Sequence, residues 1–121
     1  MRGIMDSKVV VITGAGSGMG RSTARLFHAQ GALLVLGDIS GQERKTAREL
    51  GDRAIAVSVD VRKSDQVAAM IECAVENYGG LDVLLNVAGS FGTQVGLAET
   101  DESLFDLMVD INLRGVFLGM K

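Results

Sequence analysis

A glycine-rich stretch near the N-terminus, TGAGSGMG over 13–20, contains the residue types that could hold a phosphate group. It follows the apolar run Val9–Ile12 and leads into a segment with helical spacing. Free amides at a helix N-terminus form an anion site, and glycines let the backbone approach the anion closely. Gly14 and Gly20 are six residues apart, one more than in the G-x-G-x-x-G fingerprint. The stretch therefore predicts a phosphate-binding turn of the form T-G-x-x-x-G-x-G.

Each glycine of this turn has an expected task. Gly14 lets the chain leave the strand, Gly18 lets the backbone approach a pyrophosphate, and Gly20 lets the helix pack close to the sheet. We expect Gly16 to tolerate a side chain better than Gly18. The residues predicted to border the phosphates are Gly14, Ser17, Gly18 and Met19.

The rest of the chain supplies the elements that would position this turn. Apolar runs predict strands at 9–12, 33–36, 54–59 and 83–85. Amphipathic spacing predicts helices at 19–30, 40–50, 64–78 and from about 101 to the chain end. Expected N-caps are Ser40 in a capping box with Glu43, Ser64, and Thr100. Alternating strands and helices predict an α/β fold, a doubly wound parallel sheet of Rossmann type.

Length and composition limit the classes of function. The 121 residues indicate one domain, so 1–121 would form the dinucleotide-binding part of a single Rossmann-like domain. A net charge of −3 argues against nucleic-acid or membrane-surface partners. One cysteine gives no disulfide framework and no metal cluster. Without a signal peptide or bilayer-spanning run, we expect a cytoplasmic protein, starting at either Met1 or Met5.

Three further motifs follow the glycine turn in order. They are Asp60-Val61 after the third predicted strand, the run Asn86-Val87-Ala88-Gly89 after the fourth, and Ile111–Phe117 in the last helix. Together with the turn, these motifs resemble the short-chain dehydrogenase/reductase family over nearly the whole chain. Val87 departs from the family pattern N-N-A-G. The resemblance implies that Asp60 and Val61 contact an adenine, and that Asn86, Ala88 and Gly89 border the cofactor.

The end of the second strand predicts which cofactor is used. Asp38 lies about 20 residues past the glycines, where an acid can accept hydrogen bonds from the adenosine ribose. The alternative role, a helix N-cap, is weaker because Ser40 is the expected cap. A carboxylate there repels the 2′-phosphate of NADP, and Ser17 and Ile39 stand where a compensating Lys or Arg would be expected. We therefore expect NAD to be preferred over NADP.

The last helix is apolar over most of its circumference. Its polar residues Asp106, Asp110 and Arg114 form one narrow stripe, so we expect burial on two sides, one of them against a second subunit of a homo-oligomer. Asn112 falls in the apolar arc and should be buried and hydrogen-bonded. A structural asparagine that bridges backbone groups is one interpretation. The resemblance implies the other, a catalytic residue that holds a water-linked proton relay.

The family's remaining catalytic residues, a Ser and a Tyr-x-x-x-Lys, do not occur in the sequence. The single tyrosine, Tyr78, has the spacing of a core residue. We therefore expect the N-terminal part of an NAD-dependent oxidoreductase acting on a small alcohol or ketone, incomplete relative to the family and inactive alone. The alternative is a non-catalytic dinucleotide-binding or oligomerisation module. The substrate itself is not predicted.

Overall fold

A computed structural model of the chain describes residues 2–121 and shows strands and helices in alternation. The strands are β1 (Val9–Thr13), β2 (Leu33–Asp38), β3 (Ala54–Ser58) and β4 (Val83–Asn86). The helices are α1 (Gly18–Ala29), α2 (Gln42–Leu50), α3 (Ser64–Tyr78), α4 (Glu102–Val109) and α5 (Gly115–Met120). A 3-10 turn at Leu97–Glu99 precedes α4, and a π-helical turn at Asp110–Arg114 joins α4 to α5.

The four strands form one parallel sheet in the order β3-β2-β1-β4. This confirms the predicted doubly wound α/β fold. The strand order reverses direction at β1, whose two neighbours are β2 and β4. Thr13 at the end of β1 is in register with Gly37 on one side and Asn86 on the other. The carboxyl ends of three strands therefore meet where ligands bind in open α/β sheets.

Both faces of the sheet are covered, which explains why β1 is apolar throughout. Alternate residues of a strand point to opposite faces. Val9 and Val11 belong to a core cluster with Met70 of α3, whereas Val10 and Ile12 belong to a second cluster on the other face. The second cluster contains Ala15, Ala24, Ala32, Leu34 and Leu36 and packs against residues of α1 and α2. The central strand is thus fixed from two sides.

The helix starts differ from the predicted caps. The N-cap of α2 is Gly41, not Ser40. The predicted capping box is wrong, because the Ser40 amide donates its hydrogen bond to Asp38 Oδ1. Glu43 is instead fully buried, and neither of its carboxylate oxygens has a hydrogen-bond partner within residues 2–121. Lys63 and Asp101 occupy the N-cap positions of α3 and α4, not Ser64 and Thr100.

The last helical segment packs on one side only. α5 lies against β4 and α3, with Gly115 buried and Leu118 packed on the first core cluster. Large apolar side chains on the other side are exposed, at Phe105, Leu113, Phe117 and Met120. None of the helices in residues 2–121 is long and apolar enough to cross a bilayer.

Gly20 allows α1 to pack against the glycine turn, and its replacement tests this contact. A Cβ atom on Gly20 would overlap the carbonyl oxygen of Gly14, so Gly20→Ala must push the helix away from the turn. We expect a loss of about 1–3 kcal/mol in unfolding free energy, measured by urea denaturation. Gly80→Ala is the control, because nothing lies within 4 Å of that Cβ position. Equal stability of the two variants would contradict this packing.

Candidate functional site

A cleft of about 740 Å³ opens at the carboxyl ends of the strands. Its walls come from the glycine turn, the turn after β2, residues 59–62, the loop after β4 and the inner side of α4. The cleft lies between the ends of β1 and β4, at the point where the strand order reverses. This is the expected position of a ligand site in such a sheet.

Thr13 joins the two loops that border the cleft. Its Oγ1 atom accepts hydrogen bonds from the amides of Val87 and Ala88, both at 3.1 Å, and donates to the Leu85 carbonyl at 3.4 Å. A Cβ on Gly14 would come within 2.9 Å of the Ala88 nitrogen, so the two loops are in direct contact. This role of Thr13 was not predicted from the sequence. A polar residue that ends a wholly apolar strand was the available indication.

The glycine turn presents its middle residues to the cleft. Gly14 and Gly18 have positive φ angles of 68° and 51°, which favour glycine. Nothing lies within 4 Å of a Cβ position on Gly18, so its backbone faces open space beside the start of α1. Ser17 and Met19 line the cleft on either side of it and are exposed.

The expectation that Gly16 tolerates a side chain better than Gly18 stays a prediction, because a side chain would be crowded at Gly16 and strained by the positive φ angle at Gly18. A Cβ on Gly16 would lie 2.9 Å from Asp38 Oδ2, 3.0 Å from Ser40 Oγ and 2.8 Å from Gln42 Cβ. The turn after β2 folds directly over Gly16, and that contact fills the space that a side chain would need. Of the two middle glycines, Gly18 has the room and Gly16 does not.

Asp38 lines the cleft with its carboxylate already held by the backbone. Oδ1 accepts from the amides of Ile39 at 2.8 Å and Ser40 at 3.1 Å, and Oδ2 accepts from the Gly16 amide at 2.9 Å. Asp38 therefore forms a local turn, but it is not a helix N-cap, which was its alternative predicted role, because Gly41 occupies the N-cap position of α2. Ile39 lines the cleft next to it and is 64% exposed.

Asp60 and Arg62 form an ion pair at the cleft. Arg62 Nη2 is 2.7 Å from Asp60 Oδ2, and Arg62 Nε is 2.9 Å from Asp60 Oδ1. The hydrogen bond from Arg62 holds the pKa of the Asp60 carboxyl below its ordinary value, although burial opposes this. Gln66 accepts the Asp60 amide hydrogen bond at 2.7 Å, and Val61 lines the cleft beside the pair. Sequence reasoning missed Arg62, although opposite charges two residues apart at a strand end were visible.

The cofactor-binding residues predicted after β4 lie in two different places, the cleft and the contact with α5. Ala88 and Gly89 line the cleft. Asn86 does not line it and lies against α5 instead, where a Cβ on Gly119 would come within 2.6 Å of Asn86 Oδ1. The structure therefore brings Ala88 and Gly89 together with the glycine turn and leaves the Asn86 side chain outside.

Asn112 lines the cleft from the π-helical turn and is exposed rather than buried, so that part of the expectation is wrong. The physical reason is that its side chain lies on the wall of the open cleft, against the loop after β4. Its side chain is hydrogen-bonded, as expected. Oδ1 accepts from the Ser90 amide at 2.9 Å, and Nδ2 donates to the Ser90 carbonyl at 2.8 Å. Asn112 thus holds the loop after β4 from both sides of one residue.

Comparison with known proteins assigns this arrangement to a family. The family model described as short chain dehydrogenase matches residues 8–121. The chain belongs to the short-chain dehydrogenase family. It is 41% identical over 124 residues to a 3-alpha-(or 20-beta)-hydroxysteroid dehydrogenase of Mycobacterium bovis. It is 39% identical over 121 residues to tropinone reductase-like 2 of Erythroxylum coca.

Solved short-chain dehydrogenase structures have the same fold. A 3-ketoacyl-(acyl-carrier-protein) reductase from Brucella melitensis, complexed with NADH, matches with a TM-score of 0.93 and 37% identity. The alignment covers 96% of this chain and 48% of that one. The two curated relatives are matched over 97% and 100% of this chain but only 44% and 46% of their own lengths. The chain therefore spans about half the length of the short-chain dehydrogenases that it matches.

Removing Arg62 tests the electrostatics of the cleft. Because its folded pKa is lowered, the Asp60 carboxylate contributes stability above the ordinary carboxyl pKa of about 3.9, and this contribution is lost as the pH falls through the lowered value. Arg62→Ala should therefore unfold more easily than the wild type at neutral pH, and the difference should disappear in acid. Urea denaturation at both pH values measures it, with the exposed Arg44→Ala as control. A stability difference that does not change with pH would contradict the ion-pair explanation.

Proposed function

We propose that this chain is the dinucleotide-binding part of an NAD-dependent oxidoreductase that transfers a hydride between a small alcohol or ketone and the nicotinamide. The observation that carries the proposal is the glycine turn, hydrogen-bonded through the Gly16 amide to Asp38, on the wall of a cleft at the reversal of strand order. The names of the relatives support the reaction class, since they include a reductase and a hydroxysteroid dehydrogenase. A similar solved structure is described as complexed with NADH, which supports a nicotinamide cofactor.

The residues that line the cleft fit a dinucleotide. Its volume of about 740 Å³ lies within the ~300–1,000 Å³ typical of small-molecule sites. The open backbone at Gly18 and the amides at the start of α1 would receive the pyrophosphate. Asp38 would accept from the adenosine ribose, and the adenine would lie between Val61 and Ala88 beside the Asp60 carboxylate. The walls would be completed by Gly14, Ser17, Met19, Ile39 and Gly89. Asn86, at the end of β4, lies outside the cleft.

When bound, the nicotinamide would accept or deliver the hydride. Asn112 would contribute by fixing Ser90 and with it the loop that borders the reacting end of the cleft. A carbonyl reduction also needs a positioned acid, worth ~10²–10⁴-fold in rate. Tyr78 is not suitable, because it is the last residue of α3, packs on the core outside the cleft, and has its pKa raised above the ordinary value by burial. We therefore propose that the 121 residues bind the cofactor but do not turn over substrate unaided.

The exposed apolar side of α4 and α5 supports a homo-oligomer. Phe105 is 62% exposed and Phe117 is 58% exposed, and they lie on the side of the segment that faces away from the sheet. Exposed apolar side chains that lie together on one surface are typical of interaction surfaces. A second copy that packs there would give the segment the second cover that its sequence predicts.

Cofactor preference is the first test of the proposal. The Asp38 carboxylate should favour NAD and repel the 2′-phosphate of NADP. We expect the wild-type chain to bind NAD more tightly than NADP in calorimetric titrations, and Asp38→Ala to lose this preference. Equal affinity of the wild type for the two cofactors would remove the role proposed for Asp38.

Gly18 provides a test of the phosphate position. Gly18→Val should place a side chain where the pyrophosphate would lie and weaken NAD binding by about tenfold or more. Gly79→Val is the control, because Gly79 also has a positive φ angle and open space within the described residues but lies outside the cleft. A loss of affinity caused by backbone strain alone would appear in both variants. The phosphate role is contradicted if both bind NAD as the wild type does, or if both lose affinity equally.

The third test of the proposal combines turnover and assembly. The chain should bind NAD without reducing it in the presence of a panel of secondary alcohols, and it should sediment as an oligomer. Phe117→Asp should shift the sedimentation toward the monomer by placing a charge on the apolar side. Turnover by the 121 residues would contradict the proposal that they lack the acid needed for carbonyl reduction. A monomer at all concentrations would overturn the second-copy interface.

A further inference from the structure

Gly16 is the residue of the turn whose environment the proposed function does not explain. It lies beneath the turn after β2, and its amide donates to Asp38 Oδ2 at 2.9 Å. A Cβ atom at this position would lie 2.9 Å from the same oxygen. The same oxygen, Asp38 Oδ2, therefore accepts the hydrogen bond of the Gly16 amide and occupies the space that a side chain on Gly16 would need.

The Asp38 carboxylate is held by three backbone amides in all. Oδ1 accepts from Ile39 and Ser40, which lie on its own turn, and Oδ2 accepts from Gly16, which is 22 residues earlier in the chain. A carboxylate offers about four lone-pair positions. About one therefore remains free, on Oδ2, to accept from a ligand hydroxyl.

A carboxylate held in this way cannot swing aside for a second anion. Hydrogen bonds to charged acceptors are worth ~1.5–3 kcal/mol each. Of the three, only the contact with Gly16 joins the turn after β2 to the glycine turn. Without that contact the Asp38 carboxylate would be held only through Oδ1, by the amides of Ile39 and Ser40 on its own turn, and Oδ2 could move away from the glycine turn. A 2′-phosphate could then bind by displacing the carboxylate. With the contact intact, the fixed carboxylate repels the 2′-phosphate.

We propose that Gly16 determines cofactor specificity by holding the Asp38 carboxylate in the position that excludes a 2′-phosphate. The proposal rests on the proposed NAD site. Gly16 is a positioning residue, since it acts through Asp38 and makes its contact with the backbone amide. The absence of its side chain is what allows the carboxylate to lie against the turn.

A double-mutant cycle tests this coupling, using the ratio of NADP to NAD dissociation constants as the readout. Gly16→Ala in the full chain should lower the ratio by roughly tenfold or more, because the Cβ displaces Oδ2 and also meets Gln42 Cβ at 2.8 Å. In the Asp38→Ala background, Gly16→Ala should change the ratio no further. Gly80→Ala, with open space around its Cβ position, should leave the ratio at the wild-type value.

Equal effects of Gly16→Ala with and without Asp38, or no effect in either background, would overturn the inference. Such results leave the proposed function intact if the wild type still prefers NAD. A wild type that binds neither cofactor would instead overturn the proposed function, and the inference with it.

A second measurement does not depend on the folding of Gly16→Ala. Hydrogen exchange of the Gly16 amide, followed by NMR in the wild type and in Asp38→Ala, reports directly on the contact. Exchange should be at least about tenfold faster in Asp38→Ala, as expected when a charge-assisted bond is lost. The same rate in both proteins would show that Asp38 does not hold Gly16 in solution and would overturn the inference.

Discussion

The contact between the ends of β1 and β4 is the constraint on which the candidate site depends. At this reversal of strand order, two loops leave the sheet in the same direction, and their amides need partners. Thr13, 3% exposed, supplies the acceptor for two of them through one hydroxyl oxygen. The cleft is the space above this junction. Its walls are fixed because the loops are joined at their base, where a buried polar group left unpaired would cost stability.

Close contacts at glycine positions fix the other walls of the cleft in a similar way. A Cβ on Gly115 would come within 2.8 Å of Val61, and one on Gly89 within 2.8 Å of Asn112 Oδ1. Glycine at these positions lets the last helical segment lie directly against the loops after β3 and β4. The π-helical turn then directs Asn112 toward Ser90, and such turns are frequent at functional sites. The segment is therefore part of the cleft as well as a cover for the sheet.

The sequence predicted the parts of the fold that depend on long patterns. Continuous apolar runs identified four strands, since strands covered on both faces need no polar alternation, and helical spacing gave the C-terminal end of α3 correctly. Local hydrogen-bond competition was not predictable in this way. Ser40 does not form its capping box, because its amide donates to Asp38 Oδ1 instead, and Asn112 is exposed because it lines the open cleft. The crowding at Gly16 depends on how the turn after β2 folds over it, which spacing along the chain does not reveal.

We propose that the glycine turn and the loop after β4 form one dinucleotide site at the reversal of strand order. Amide chemical-shift mapping of the ¹⁵N-labelled chain during titration with NAD tests this proposal. We expect shifts concentrated at Ser17–Met19, Asp38, Val61 and Ala88–Ser90, with little change in the outer turns of α3. Saturable binding with shifts confined to another surface, such as the groove between α3 and α5, would contradict it, and so would a spectrum that NAD leaves unchanged.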